Sequence, residues 1–104
     1  MSSLNRCILA GRLTKAPQVR YSKDEMAECY FDISVYKADK KNVITCVAFA
    51  GLAKICGEYL KKGRLVAVEG KLSLANKRKE IIVDNMQLLD SKLFEAKAPK
   101  EKIK

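Results

Sequence analysis

The chain has 104 residues, 21 Lys and Arg against 12 Asp and Glu, a formal charge of +9, four Cys, and neither His nor Trp. That length fits one domain, and 48% hydrophobic residues excludes wholesale disorder. Without His, the commonest general base and zinc ligand are both missing, and Cys7, Cys29, Cys46 and Cys56 are too scattered for a zinc ribbon or a redox pair, so they read as buried, reduced thiols. No apolar run reaches the length of a membrane span, and Met1 to Arg6 lacks the charged and apolar regions of a signal peptide, so a soluble, intracellular protein is expected. The cation surplus points to a polyanionic partner, most often a nucleic acid.

The predicted elements are mostly strands. Asn5 to Leu13 alternates, with Cys7, Leu9 and Leu13 on one side and Arg6, Ile8, Ala10 and Arg12 on the other. Gly11 in its middle predicts a bend or a close backbone approach. Thr14 to Ser22 reads as a connector. In the second strand Ala27, Cys29, Phe31, Ile33 and Val35 form a core face, and Glu28, Tyr30, Asp32, Ser34 and Tyr36 a wet face. A turn at Ala38 to Asn42 leads to a third strand, Val43 to Ala50, apolar on both sides, so that one side is expected to serve something besides the monomer core.

From Gly51 to Lys62 the period becomes helical, with Leu52, Ile55, Cys56, Tyr59 and Leu60 on one stripe, Lys61 and Lys62 in the last turn and Gly63 placed as the cap. Arg64 to Leu74 returns to strand, with Val66, Val68, Leu72 and Leu74 alternating through Gly70. Ala75 to Arg78 reads as a turn and Lys79 to Leu89 as the fifth strand. Residues 91–104, with five Lys against two Glu, read as a basic, flexible tail behind a domain at 1–90. Three strands, a helix and two strands in this length predict an all-β, five-stranded Greek-key barrel of the OB-fold type, the helix lying between strands three and four. An open five-stranded sheet is the structural alternative.

The residues themselves carry a resemblance. Asn5-Arg6-Cys7-Ile8-Leu9-Ala10-Gly11-Arg12-Leu13-Thr14-Lys15-Ala16-Pro17 resembles the N-R-V-I-L-V-G-R-L-T-K-D-P opening of the bacterial-type single-stranded DNA-binding protein family, and Val19-Arg20-Tyr21 its L-R-Y. Cys46-Val47-Ala48-Phe49 with Leu52-Ala53 is similar to C-V-A-F-G-K-L-A. Glu58 to Gly70 resembles E-Y-L-K-K-G-x-x-V-x-V-E-G, and Asp84 to Leu89 resembles D-S-V-Q-F-L. The match runs in order from Leu4 to Leu89.

The resemblance implies an OB-fold that assembles, usually as a homotetramer with a dimer as the alternative, and binds unpaired DNA without sequence preference in replication, recombination or repair. It implies no cofactor and no metal, no enzymatic activity, no membrane partner, and a cytoplasmic, nucleoid-associated location. Unpaired bases expose faces on which aromatics stack while Lys and Arg track the phosphates. Phe49 stands at the family's third-strand stacking aromatic, on one face with Thr45; its plain alternative is a core Phe. Arg12, Lys15 and Arg20 match cations of the first strand and connector and are candidate phosphate contacts. Tyr21 beside them either stacks or packs the connector. Lys71, Lys77, Arg78 and Lys79 border the last hairpin, where the family grips the strand; their alternative is a solvated turn.

Several positions depart from the family. Val43 and Lys77 stand where aromatics are common, and the turns at Ala38 to Asn42 and Asn76 to Lys79 are short. Fewer stacking sites and a larger electrostatic share of affinity are therefore expected, with Tyr36 and Tyr30 as candidate substitutes that the family's pattern does not assign. The acidic, Phe-ending tip that recruits repair enzymes is not seen, so that recruitment is not expected, and the basic tail is expected to add phosphate contacts instead. An OB-fold accessory subunit acting through protein–protein contacts is the alternative function. Its candidate interfaces are Ile8 and Ala10 on strand one and Leu65 and Ala67 on the fourth strand. RNA in place of DNA also stays open.

Overall fold

The computed structural model describes residues 3–74 and 78–89. Lys77 and the tail expected at 91–104 lie outside them. In chain order the elements are β1 (Cys7–Leu13), β2 (Gln18–Tyr21), β3 (Ala27–Lys37), β4 (Lys40–Phe49), α1 (Ala50–Tyr59), β5 (Leu65–Ser73) and β6 (Glu80–Leu88). They form one sheet in the order β1-β5-β6-β4-β3-β2, and a further pairing of β1 with β3, Arg12 to Ser34 and Leu13 to Ile33, closes it. The closed barrel consists of β1, β3, β4, β5 and β6, with β4 and β6 parallel and the helix between its third and fourth strands, which is the expected OB-fold.

The alternations in β1 and β3 hold. Ala27, Cys29, Phe31 and Ile33 are buried with Leu13, Cys46, Ala48, Val66, Val68, Ile81, Val83 and Leu88 in one core, against which Cys7, Leu9 and Val35 pack. Gly11 is the close approach its position predicted: a Cβ there would overlap the Ser34 carbonyl oxygen at the seam where β1 meets β3.

The helix ends earlier than expected, at Tyr59, and Leu60 turns to extended backbone. Lys61 and Lys62 therefore lie beyond it. Gly63, at φ +88°, serves a turn that Arg64 N–H closes on the Lys61 carbonyl at 3.1 Å, a geometry that favours Gly at the third position. The buried helix face is Ala53 and Cys56, followed by Leu60, while Ile55 points out, 44% exposed.

Other boundaries shift for identifiable reasons. The connector contains β2, which pairs along the first half of β3, Gln18 to Tyr30 through Tyr21 to Ala27, because β1 covers only the Ile33–Ser34 stretch of that edge. The turn after β3 is Ala38 and Asp39 alone, with Lys37 paired to Lys40, so Lys40 to Asn42 belong to β4. Ala50 leaves β4 at φ +56° and opens the helix. Leu72 and Leu74 are exposed, since the ladder of β5 with β1 ends at Gly70 opposite Cys7.

Asn5 precedes β1 rather than beginning it. Its side-chain amide donates to the Leu72 carbonyl and its oxygen accepts from Leu72 N–H, both at 2.8 Å, so one side chain replaces a ladder pair. Asn5→Ala is expected to cost roughly 1–2 kcal/mol, about 1 for each bond, in urea denaturation.

Only three of the four thiols are buried; Cys7 is half-exposed at the start of β1. Burial pushes Cys29 up to about 11 and Cys46 and Cys56 to about 12, from 9.0. The folded state thus holds these protons more tightly than the unfolded chain. Their contribution to stability is full below about pH 9 and is lost as pH rises through 11 to 12. A disulfide reagent at pH 8 is expected to titrate Cys7 quickly and the other three only at the rate of unfolding, and the urea midpoint to fall steadily above pH 9.

Candidate nucleic-acid interface

Strand register places the outward-facing side chains in rows across β3, β4 and β6. One row is Gln18 on β2, Tyr30 on β3, Val47 on β4, Ile82 on β6 and Lys71 on β5. The next row on one side is Asp32, Thr45, Glu80 and Ser73; on the other it is Arg20, Glu28 and Phe49. This is the second apolar side of β4. Val47 on it is 1% exposed although it faces away from the barrel core, and Phe49 is 37% exposed beside it.

A groove of about 350 Å³ opens on this face, lined by Lys15, Gln18, Arg20, Tyr30, Phe31, Asp32, Thr45, Arg78 and Glu80. The Arg20 guanidinium lies 5.1 Å from the centre of the Tyr30 ring and donates to Gln18 Oε1 at 3.4 Å. The Tyr30 hydroxyl donates to Glu28 Oε1 at 3.4 Å. Burial, Glu28 and Glu80 push the Tyr30 phenol up and Arg20 opposes them, so at neutral pH it is a neutral aromatic. Thr45 Oγ1 donates to Asp32 Oδ1 at 2.9 Å, and Lys15 Nζ stands 3.8 Å from Asp32 Oδ2.

The structure therefore gathers Lys15, Arg20, Thr45 and Arg78 in one groove, with Phe49 and Lys71 on the same face and Lys79 entering β6 beside it. It does not gather the rest. Tyr21 pairs with Ala27 on the opposite side of the sheet from Arg20, the side on which Val19 meets the helix at Gly57. Tyr36 stands opposite Lys41 near the hairpin tip, 64% exposed. Arg12, opposite Ser34 on the β1–β3 seam, donates to the Gly63 carbonyl at 2.9 Å and does not line the groove. Lys77 lies outside the described residues.

Gln18, Asp32 and Glu80 were not anticipated in the groove, and Tyr30 only as a substitute aromatic. Alternation alone puts Tyr30 and Asp32 on the wet face. What brings Gln18 and Glu80 to them is register with strands from other parts of the chain. A second outward face lies on β1 and β5, where Ala10 opposes Ala67 and Leu65 opposes Arg12. Ile8 there is 67% exposed, opposite Glu69, which pairs with Arg6. Among the described residues no group of side chains could hold a metal ion, and no helix is long and apolar enough to cross a membrane.

The sequence profile of the single-strand binding protein family matches residues 4–89. A single-stranded DNA-binding protein of Borreliella burgdorferi is 33% identical over 109 residues, covering 88% of this chain and 73% of its own. One from Oceanobacillus iheyensis is 30% identical over 105 residues, covering 86% of this chain, which spans 65% of that relative's length. Among solved structures, a deletion mutant of the single-stranded DNA binding protein from Thermus aquaticus superposes with a TM-score of 0.78 at 25% identity, covering 85% of this chain and 42% of that one.

Proposed function

The chain belongs to the single-strand binding protein family, and from that membership we propose that it binds and protects single-stranded DNA, largely without regard to sequence, on the outer face of β3, β4 and β6. The observation that carries the reading is the placement of Phe49 and Tyr30 on one face with Lys15, Arg20, Lys71 and Arg78. Aromatics take bases at about 1–3 kcal/mol each and the cations take phosphates, a combination that suits an unpaired strand and not a duplex whose bases are stacked away. The role is one of binding rather than catalysis, in replication, recombination or repair, in the cytoplasm.

Fluorescence anisotropy at low salt with a labelled oligo(dT) and with a duplex of equal length tests it. Affinity for the single strand is expected to exceed that for the duplex by roughly a hundredfold, the product of about two stacked bases. Equal affinities would refute the reading, and a matched RNA oligomer in the same assay decides between the two nucleic acids.

Assembly into a homo-oligomer fits the apolar face of β1 and β5, where Ile8, Ala10, Leu65 and Ala67 cover no core. The accessory-subunit alternative would use the same face. Ile8→Glu is expected to convert a tetramer or dimer to monomer in light scattering, because a charge cannot be buried unpaired there.

A further inference from the structure

The groove between β2, β3 and β6 contains more than a phosphate track requires. Phosphates need cations, yet Asp32 and Glu80 line the groove together with Lys15, Arg20 and Arg78. A carboxylate repels a phosphate. Toward a base it is a strong hydrogen-bond acceptor, suited to the exocyclic amino group of cytosine. Asp32 is already engaged by Thr45 and Lys15. Glu80, in register with Thr45, shares the groove with Tyr30 and Arg78, and its charge is felt at the Tyr30 hydroxyl.

We infer that this groove holds one base of the bound strand, stacked on Tyr30, with Glu80 accepting a hydrogen bond from its exocyclic amino group, so that bases carrying that group are held more tightly than thymine. The inference rests on the single-strand reading and adds to it a base preference at one position. A volume of about 350 Å³ accommodates a single base. Tyr30 is a supported platform, since Gln18 and the 1% exposed Val47 flank it in register. Arg20 lies over the ring in the absence of a strand, and an exposed cation–π contact yields readily to a base, after which the guanidinium can turn to the base's other face or to a phosphate.

The preference follows from the edges of the bases. Cytosine presents its exocyclic amino donor to the Glu80 carboxylate, whereas thymine turns a carbonyl oxygen toward it. Adenine and guanine also carry amino groups, but cytosine is the proper comparison because it has thymine's ring size.

The test is anisotropy at one salt concentration with labelled oligo(dC) and oligo(dT) of equal length, using the full chain, Glu80→Gln, Tyr30→Leu and Tyr30→Phe. Removing the Glu80 charge strengthens phosphate binding equally for both oligomers, so the ratio of the two affinities isolates base recognition. That ratio is expected to favour oligo(dC) about fivefold more in the unaltered chain than in Glu80→Gln. Tyr30→Leu is expected to weaken both oligomers about tenfold while Tyr30→Phe retains binding. An unchanged ratio in Glu80→Gln overturns base recognition, and unchanged affinity in Tyr30→Leu overturns the stacking. Should Tyr30→Leu lose its circular dichroism spectrum, the Glu80→Gln ratio still decides. Failure of the unaltered chain to bind either oligomer refutes the single-strand reading itself, a result distinct from binding with an unchanged ratio.

Discussion

Gly70→Ala is expected to destabilise the protein by roughly 3 kcal/mol, the upper end of what overpacking normally costs. Gly70 lies where β5 and β6 lose register: Glu69 pairs with Asn85 but Gly70 with Val83, leaving Asp84 as the extra residue of a bulge. A Cβ at Gly70 would overlap the Ile82 carbonyl oxygen and stand 2.8 Å from its carbon and 3.0 Å from Val83 Cα. All of these are backbone atoms, so no rotamer change relieves the clash. Either β5 and β6 separate or the bulge is rebuilt, and both disrupt the ladder carrying Val66, Val68, Val83 and Leu88 into the core.

Thermal melting is expected to shift down by about 15 °C for a domain of this size. Gly51→Ala is the control, because nothing lies within 4 Å of a Cβ there and the helix gains a better former. The same change should thus be harmful at one glycine and neutral to mildly stabilising at the other. A melting temperature for Gly70→Ala within about 3 °C of the unaltered chain would show that the bulge absorbs the methyl group.

Raising the salt from about 50 to about 200 mM is expected to weaken oligo(dT) binding roughly a hundredfold. Lys15, Arg20, Lys71, Arg78 and Lys79 lie on or beside the proposed face. If each neutralises one phosphate, the logarithm of affinity falls with the logarithm of salt at a slope of about −3.5, some −0.7 per contact on a single strand. Phe49 and Tyr30 supply the part that salt does not screen. Two aromatics against this many cations make the electrostatic share the larger one, as the valine at position 43 already indicated. Arg78→Ala is expected to flatten the slope by about 0.7, whereas Phe49→Ala should lower affinity at every salt concentration without changing the slope. A slope near −1 for the unaltered chain would mean that the cations of this face do not meet phosphates.

The barrel was legible because its strongest signals are local and repeat with the strand period. Ala27, Cys29, Phe31, Ile33 and Val35 alternate without interruption, and four of them are fully buried. Boundaries set by long-range contacts were not legible. Helix α1 stops short of Lys61 because the chain must turn there to bring Gly63 N–H to the Leu13 carbonyl and start β5, a demand the helical stripe does not encode. β2 has four exposed residues and owes its existence to an unpaired stretch of β3 edge.

The same division runs through the site. Composition was enough to indicate a polyanionic partner, because charge is a property of residues taken singly, whereas Phe49, Thr45, Arg20 and Arg78 were singled out as strand contacts by the family resemblance. Tyr21 was separated from Arg20 only when pairing to β3 put the neighbours on opposite sides of the sheet, since a strand's side chains alternate with a period of two. Sequence by itself determined the fold family, the core faces and the sign of the surface. Tertiary structure alone decided which side chains share a groove: Gln18, Tyr30, Thr45 and Glu80 come from four strands, and only register, fixed by burial of each strand's apolar face, sets them side by side.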